Sequence, residues 1–127
     1  RLAAVRRTQG DLDRLRDTVP PDTPPLANTE EFTFNAEFHS CLLEASRNTL
    51  LTVSAQPIFT VLQTHLARSA LGRSFHTSIH AHHLRILEAV EAGDADGAAA
   101  EMHDHLGFLR PYYERAWKAS GAARRSR

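Results

Sequence analysis

The sequence predicts an all-α protein, built as an antiparallel bundle of six or seven helices. Apolar residues recur at the three- and four-residue spacing of helices, and no segment shows the alternation of a half-buried strand. Short connections between these segments place consecutive helices side by side and antiparallel. The chain has 127 residues, of which 42% are apolar, so we expect one domain with its own core over residues 1–127.

The first helix is predicted in RLAAVRRTQGDLDRLRDTV. Its apolar residues lie near helical spacing: Leu2, Val5, Leu12 and Leu15. Gly10 weakens the middle of this helix. The following segment, PPDTPPLAN, contains four prolines and therefore predicts a linker.

Two helices are predicted in the middle of the chain. Asn28 or Thr29 supplies the capping oxygen for the first, which runs to about residue 46 with acidic residues in its first turn. The second covers about residues 50–71 and is expected to bend or restart at Pro57.

The last two helices are predicted to form a hairpin. Thr77 or Ser78 begins the first of them after the break GRSFHTS, and Gly93 ends it as a C-terminal glycine does. Asp94 or Asp96 caps the final helix, which reaches about residue 119.

The composition argues against several classes of protein. Fifteen basic and fifteen acidic residues cancel, so no overall charge points to nucleic acid or membrane as a partner of this chain. The single cysteine, Cys41, excludes an internal disulfide framework and fits the reducing cytoplasm. No apolar run is long enough to span a bilayer, and no signal peptide is recognisable. Because the chain opens at Arg1 within a helical pattern, we expect it to be part of a longer protein.

The segment FTFNAEFHSCLLEASRN places two polar side chains on an apolar helix face. Asn35 and His39 are one turn apart, and Phe38 and Leu42 lie near them in the same segment. A buried amide and a buried imidazole both need partners. They either satisfy each other or share a metal ion.

Two further histidines are expected to face the core. His83 lies on a stripe with Ile86 and Val90, and His105 lies on one with Leu109. They stand ten residues before and twelve after Gly93, so each is about 15–18 Å from the turn at ~1.5 Å per residue. The hairpin therefore brings both imidazoles to about the same height on facing helices.

Three inward imidazoles and one amide oxygen suit a divalent transition metal. We expect zinc first, with nickel, cobalt, manganese or iron as alternatives, and with open coordination positions for water or a ligand. Core histidines that are merely hydrogen-bonded to neighbours are the alternative interpretation. A different set at i, i+4 and i+7, His76, His80 and His83, ranks lower because His76 precedes the expected helix start.

The other histidines are interpreted as surface or supporting residues: His65, His82 and His103. Glu101 lies one turn before His105, where it orients that ring, adds a metal ligand or, as we favour, belongs to a solvated helix face.

The order of these motifs resembles a known family. NAEFH, then RN, then HLRILEAVEAGD, then MHDHL are similar to the C-terminal effector-binding domain, called FCD, of FadR-subfamily GntR transcriptional regulators. The resemblance implies a helical bundle whose metal is held by four residues, the same four that periodicity selects: Asn35, His39, His83 and His105. It also implies a pocket for a small organic acid or sugar acid, whose carboxylate completes the coordination of the metal.

The resemblance implies partners as well. In full-length members a winged helix-turn-helix domain precedes this domain and binds operator DNA as a homodimer, and nothing in this chain matches that module. Two positions depart from the family pattern. Many members have Asp where this chain has Asn35, which leaves the site one charge more positive and weakens metal binding, and His82 replaces a residue that is often acidic.

Effector contacts are predicted on the helix that should cross the pocket and on the last helix. Arg68 is suited to bidentate pairing with a carboxylate, although a surface or interface role is the alternative. The other candidates for the pocket wall are Thr64, Ser69 and Tyr113.

The leading hypothesis is a cytoplasmic, metal-dependent sensing domain of a bacterial transcription regulator, and not an enzyme. A helical-bundle metalloenzyme is the first alternative, but the chain has no His-Glu-x-x-His or Glu-x-x-His motif and no clear general base. A metal-free helical interaction module is the second alternative.

Overall fold

The structure is a computed structural model that describes the backbone of residues 1–19, 28–65 and 73–125, and the side chains of residues 1–19, 35–60 and 74–118. Within these ranges the secondary structure is six helices and no strand, which confirms the all-α prediction. They are α1 (Leu2–Arg6), α2 (Gln9–Thr18), α3 (Asn28–Ala45), α4 (Thr49–His65), α5 (Arg73–Ala92) and α6 (Ala95–Arg125). None of these helices is both long enough and apolar enough to cross a membrane.

The N-terminal segment forms two helices instead of the single one expected. The break lies at Thr8, not at Gly10, because Thr8 and Asp11 make a capping box at the start of α2. The Thr8 hydroxyl accepts a hydrogen bond from the Asp11 backbone, and the Asp11 carboxylate accepts one from the Thr8 backbone at 2.8 Å. The predicted proline linker covers residues 20–28; residues 20–27 lie outside the described residues, and Asn28 is the first residue of α3.

The connection between α3 and α4 uses the RN pair of the sequence motif. Arg47 adopts a left-handed backbone conformation with φ of 50°, which ends α3. Asn48 then caps α4, since its Oδ1 accepts a hydrogen bond from the Leu51 backbone at 3.1 Å. α4 continues through Pro57 as one helix, so it does not restart there. The last residues of the predicted helix, 66–71, lie outside the described part of the chain.

Helix α5 begins at Arg73, so the expected start at Thr77 or Ser78 is wrong. Packing explains the extra turn, because Phe75 is buried against the rings of Phe108 and Tyr112 on α6. Tertiary contact thus extends the helix past the residues that local preference selects as caps.

The predicted α5–α6 hairpin is present. Gly93 has φ of 73° and follows the end of α5. Asp94 caps α6, since its Oδ1 accepts a hydrogen bond from the Gly97 backbone at 2.8 Å. The pair α5 and α6 makes the most extensive interhelical contact among the described helices. α6 continues to Arg125, beyond its expected end near residue 119.

The core consists of two apolar clusters. The larger joins α1, α2, α3, α5 and the start of α6: Ala4, Leu12, Leu15, Val19, Phe38, Ile86, Leu87, Val90 and Ala98. The smaller lies at the other end of the α5–α6 pair: Phe75, Ile79 and Leu109. On both helices a buried histidine falls between the two clusters in sequence, His83 on α5 and His105 on α6. His83 and His105 therefore lie between two apolar layers.

Candidate metal centre

Three histidines from three helices meet inside the bundle. His39 of α3, His83 of α5 and His105 of α6 each offer a ring nitrogen, and these nitrogens lie within 4.8 Å of one another. His105 is 0% exposed and His83 is 4% exposed, while His39 is half-buried. Among the described residues, no other group of three or more His, Cys, Asp or Glu side chains is gathered in this way.

The imidazole rings of the three histidines lie close to one another. The ring centroids are 4.8 Å apart for His83 and His105, and His39 is 5.2 Å from each of the other two. The three planes are strongly inclined to one another, by 38°, 51° and 89°, so the rings converge and do not stack. The hairpin at Gly93 thus brings His83 and His105 to the same level, as the residue count predicts.

Asn35, which precedes His39 on the same helix, supplies a fourth buried polar atom. It lies one turn before His39 on α3 and is 9% exposed. Its Oδ1 is buried and accepts no hydrogen bond from the part of the chain that the structure describes. A buried amide oxygen without a donor costs about 1–3 kcal/mol, so a nearby cation would relieve this penalty.

The donor set fits a divalent transition metal. Metal–nitrogen bonds of about 2.1 Å in tetrahedral geometry place ligand nitrogens roughly 3.4 Å apart, so ring rotations and small helix shifts close the observed spacing. Phe38 stacks on the His83 ring at 4.1 Å with the planes inclined by 19°, which holds that ring in its orientation. Imidazoles with an amide oxygen suit zinc and its first-row neighbours.

His82 of α5 lies beside the cluster, with its ring against α6. Its ring centroid is 5.7 Å from that of His105 and 5.3 Å from that of Phe108. Burial lowers the pKa of His82 and the charge of Arg85 lowers it further, so the ring is neutral at pH 7. Arg85 can only donate, and its Nη2 lies 3.0 Å from Nδ1, so Nε2 carries the proton.

Glu101 and the remaining histidines differ in their burial and contacts. Glu101 pairs with Arg85 at 2.8 Å. His103 is exposed, as expected, and the side chain of His65 lies outside the described residues. His76 is buried within α5, so the sequence argument that placed it before the helix start is wrong. The ligand set that included His76 and His80 is nevertheless not gathered into a group within the described residues.

The predicted effector contacts are mostly beyond what the structure describes. Arg68 and Ser69 lie outside the described residues, and Thr64 lies in the last turn of α4 with its side chain outside them. Tyr113 is half-buried and packs against the smaller apolar cluster, two turns beyond His105 on α6.

Two contacts at the site were missed by sequence reasoning. Phe38 was assigned to an apolar stripe, but its stacking on His83 depends on how α3 packs on α5, which periodicity does not give. The contact of Arg85 with His82 has a sequence signal, since the two residues are three apart on one helix and therefore neighbours.

Comparison with known proteins identifies the family of the chain. A family model described as the FCD domain matches residues 1–108. The chain is 29% identical over 120 residues to proteins of Escherichia coli (strain K12) and Shigella flexneri, each named as an L-lactate dehydrogenase operon regulatory protein. These alignments cover 89% of the chain and 45% of each relative, so the chain spans about half the length of the curated relatives it matches. No solved structure matches the chain significantly. Since the family model covers most of its residues, the protein belongs to the FCD domain family, a family of transcription-regulator domains and not of enzymes.

Proposed function

We propose that this chain is the metal-dependent sensing domain of a GntR-type transcription regulator, and that its effector is a small carboxylic acid. The proposal rests on one observation: ring nitrogens from three different helices lie within 4.8 Å of one another. His39, His83 and His105 are the proposed metal ligands together with Asn35, whose buried oxygen accepts no hydrogen bond from the described residues. Zinc is the first choice, and nickel, manganese, cobalt and iron are alternatives.

The metal supplies Lewis acidity and an open position at which a carboxylate oxygen binds. The residues around it perform the remaining tasks. The three imidazoles hold the cation without adding charge, and Phe38 fixes the plane of His83. The aromatic and apolar neighbours of the cluster exclude water, which strengthens the attraction between a bound acid and the cation.

A small organic acid or sugar acid is the proposed effector class. The relatives are named for an L-lactate dehydrogenase operon, which makes L-lactate the first acid to test. Its hydroxyl and carboxylate suit chelation of a metal with open positions. Arg68, Thr64 and Tyr113 remain the proposed protein contacts of the acid.

The proposed output is a population shift. A bound acid would favour one arrangement of the three helices that carry the proposed ligands, α3, α5 and α6. In the whole regulator, a winged helix-turn-helix domain lies N-terminal to this one and binds operator DNA as a homodimer in the cytoplasm. Its DNA binding depends on the arrangement of the bundle. The matched relatives are about twice as long as the aligned region, which leaves room in them for such a domain.

The test begins with metal content and thermal stability. We expect the purified chain to retain about one equivalent of metal, and EDTA to lower its Tm. Zinc at about 100 times its Kd should then raise the Tm by roughly 10 °C, because ligand binding at that ratio stabilises by about 2.7 kcal/mol. L-lactate or a related acid should raise the Tm further in the zinc-loaded chain only.

Two alanine variants separate the site from general effects. His39→Ala removes a half-buried proposed ligand and should abolish the response to zinc. His103→Ala removes an exposed histidine of α6 and should leave that response intact. A wild-type chain without metal, and with the same Tm in EDTA and in zinc, would contradict the proposal and favour a metal-free interaction module.

A further inference from the structure

Every donor atom of the proposed metal centre is electrically neutral. Three are imidazole nitrogens and the fourth is the amide oxygen of Asn35. Among the described side chains, no carboxylate belongs to the group of atoms within 4.8 Å. Glu101, one turn before His105, pairs with the exposed guanidinium of Arg85 instead. A divalent cation held here therefore keeps its full charge of two.

The surroundings make that charge costly. His105 and His83 are almost completely buried, Phe38 covers one face of the His83 ring, and Phe59 lies 6.0 Å from His39. A buried charge is tolerated only when it is paired. No negative donor is present among the proposed ligands, and no carboxylate is gathered with them among the described side chains, so the ligand that occupies the open position supplies the compensating charge.

We infer that the acid sensed by this domain carries two negative charges, as a dicarboxylate does, and that Asn35 sets this preference. This inference rests on the proposed function. Counting only the cation and its ligands, a monocarboxylate such as lactate leaves one of the cation's two positive charges uncompensated, whereas a dicarboxylate leaves none. An aspartate at position 35 would supply one negative charge from the protein, and a monocarboxylate would then suffice.

A matched pair of acids tests the inference. Lactate and tartronate both have a carbon with a hydroxyl and a carboxylate, and tartronate has a second carboxylate where lactate has a methyl group. Both acids are titrated into the zinc-loaded chain by calorimetry, and zinc content is measured afterwards to confirm that neither acid removes the metal. We expect tartronate to bind at least tenfold more tightly than lactate.

Three variants assign the preference to position 35. Asn35→Asp should reduce the ratio of the two affinities at least tenfold and should tighten zinc binding. Asn48→Asp makes the same change of charge at the cap of α4, where aspartate is also a good cap, and should leave the ratio unchanged. Asn35→Ala keeps the donor set neutral, so the preference for tartronate should persist while zinc binding weakens.

The outcomes distinguish the two proposals. Equal affinities for the two acids in the wild-type chain, or an unchanged ratio in Asn35→Asp, would overturn the inference and leave metal-dependent sensing intact. If Asn35→Asp does not fold, loss of the preference in Asn35→Ala overturns the inference. Failure of the wild-type chain to bind zinc, or to bind either acid when zinc is present, would refute the proposed function and the inference with it.

Discussion

The Asp11 carboxylate is a buried charge that joins the N-terminal helices to the turn after α3. It is 2% exposed, and it pairs with Arg14 at 2.8 Å and with Arg47 at 2.5 Å. Burial by itself would raise the pKa of Asp11. The hydrogen bonds from Thr8, the hydrogen bond from Arg14 and the charge of Arg47 outweigh that effect, so the pKa lies below its ordinary value.

Replacement of this carboxylate should destabilise the fold. We expect Asp11→Asn to lower the free energy of unfolding at pH 7 by about 1–3 kcal/mol, because Arg47 loses its carboxylate partner and Arg14 keeps only Glu44. A lowered pKa contributes stability above the ordinary pKa of an aspartate, and this contribution is lost as the pH falls through the folded-state value. The difference between wild type and variant should therefore be constant from pH 7 to about pH 5 and shrink below about pH 4.

Urea unfolding across this pH range measures the difference. The control is Asp13→Asn, which removes an exposed carboxylate that pairs with Arg16. It should change the free energy of unfolding by less than about 1 kcal/mol at any pH. A loss in Asp11→Asn that is as large at pH 3 as at pH 7 would show that the carboxylate acts through shape and not through charge.

At the same scale, the inward direction of the site residues was predictable, but their neighbours were not. Helical spacing fixes which side of α5 carries His83, and the turn at Gly93 fixes its height relative to His105. The stacking of Phe38 on His83 depends on the packing of α3 against α5, which one-dimensional spacing does not contain. Whether these residues bind a metal stays a prediction.

At the scale of elements, the ends of the helices were predictable where a cap sets them. Gly93 follows the end of α5, and Asp94 caps α6. The start of α5 was wrong because buried Phe75 extends the helix through contacts with α6. Capping residues determine where a helix begins or ends only when tertiary packing does not override them.

Gly93 connects two elements that carry site histidines, and it is constrained in two ways. Its φ of 73° is unfavourable for any residue with a Cβ atom, and an added Cβ would lie 3.0 Å from Nη2 of Arg7. That guanidinium donates a hydrogen bond to the carbonyl of Glu91 at 2.9 Å and so satisfies the end of α5. A side chain at position 93 would disturb this contact.

We therefore expect Gly93→Ala to lower the free energy of unfolding by about 1–2 kcal/mol. Gly107→Ala is the matched control, because Gly107 lies inside α6 with no heavy atom within 4 Å of an added Cβ. Alanine there should stabilise the chain by up to about 1 kcal/mol, as in an exposed helix interior. Thermal unfolding of both variants without metal measures the two effects, and changes of the same sign would contradict the argument.

At the scale of the whole molecule, the proposed centre is a point where three helices from distant parts of the sequence meet. Of the described helices, α4 and α5 lie between α3 and α6 along the chain, and His39 and His105 are 66 residues apart. The sequence predicted the hairpin of α5 and α6 from its turn. It did not determine how α3 lies across that hairpin, because long-range packing is a property of all the side chains together.

A metal at this junction should protect the three helices from local opening at the same time. We expect zinc to slow amide hydrogen exchange in segments of α3, α5 and α6 together, because each contributes at least one ligand and none can open without breaking the coordination. Hydrogen-exchange mass spectrometry with and without zinc measures this. Segments over residues 35–45, 79–90 and 98–109 should gain similar protection, whereas the exposed start of α4 should change little. His39→Ala should remove the common gain, and protection confined to a single helix would indicate a surface zinc site and contradict a shared centre.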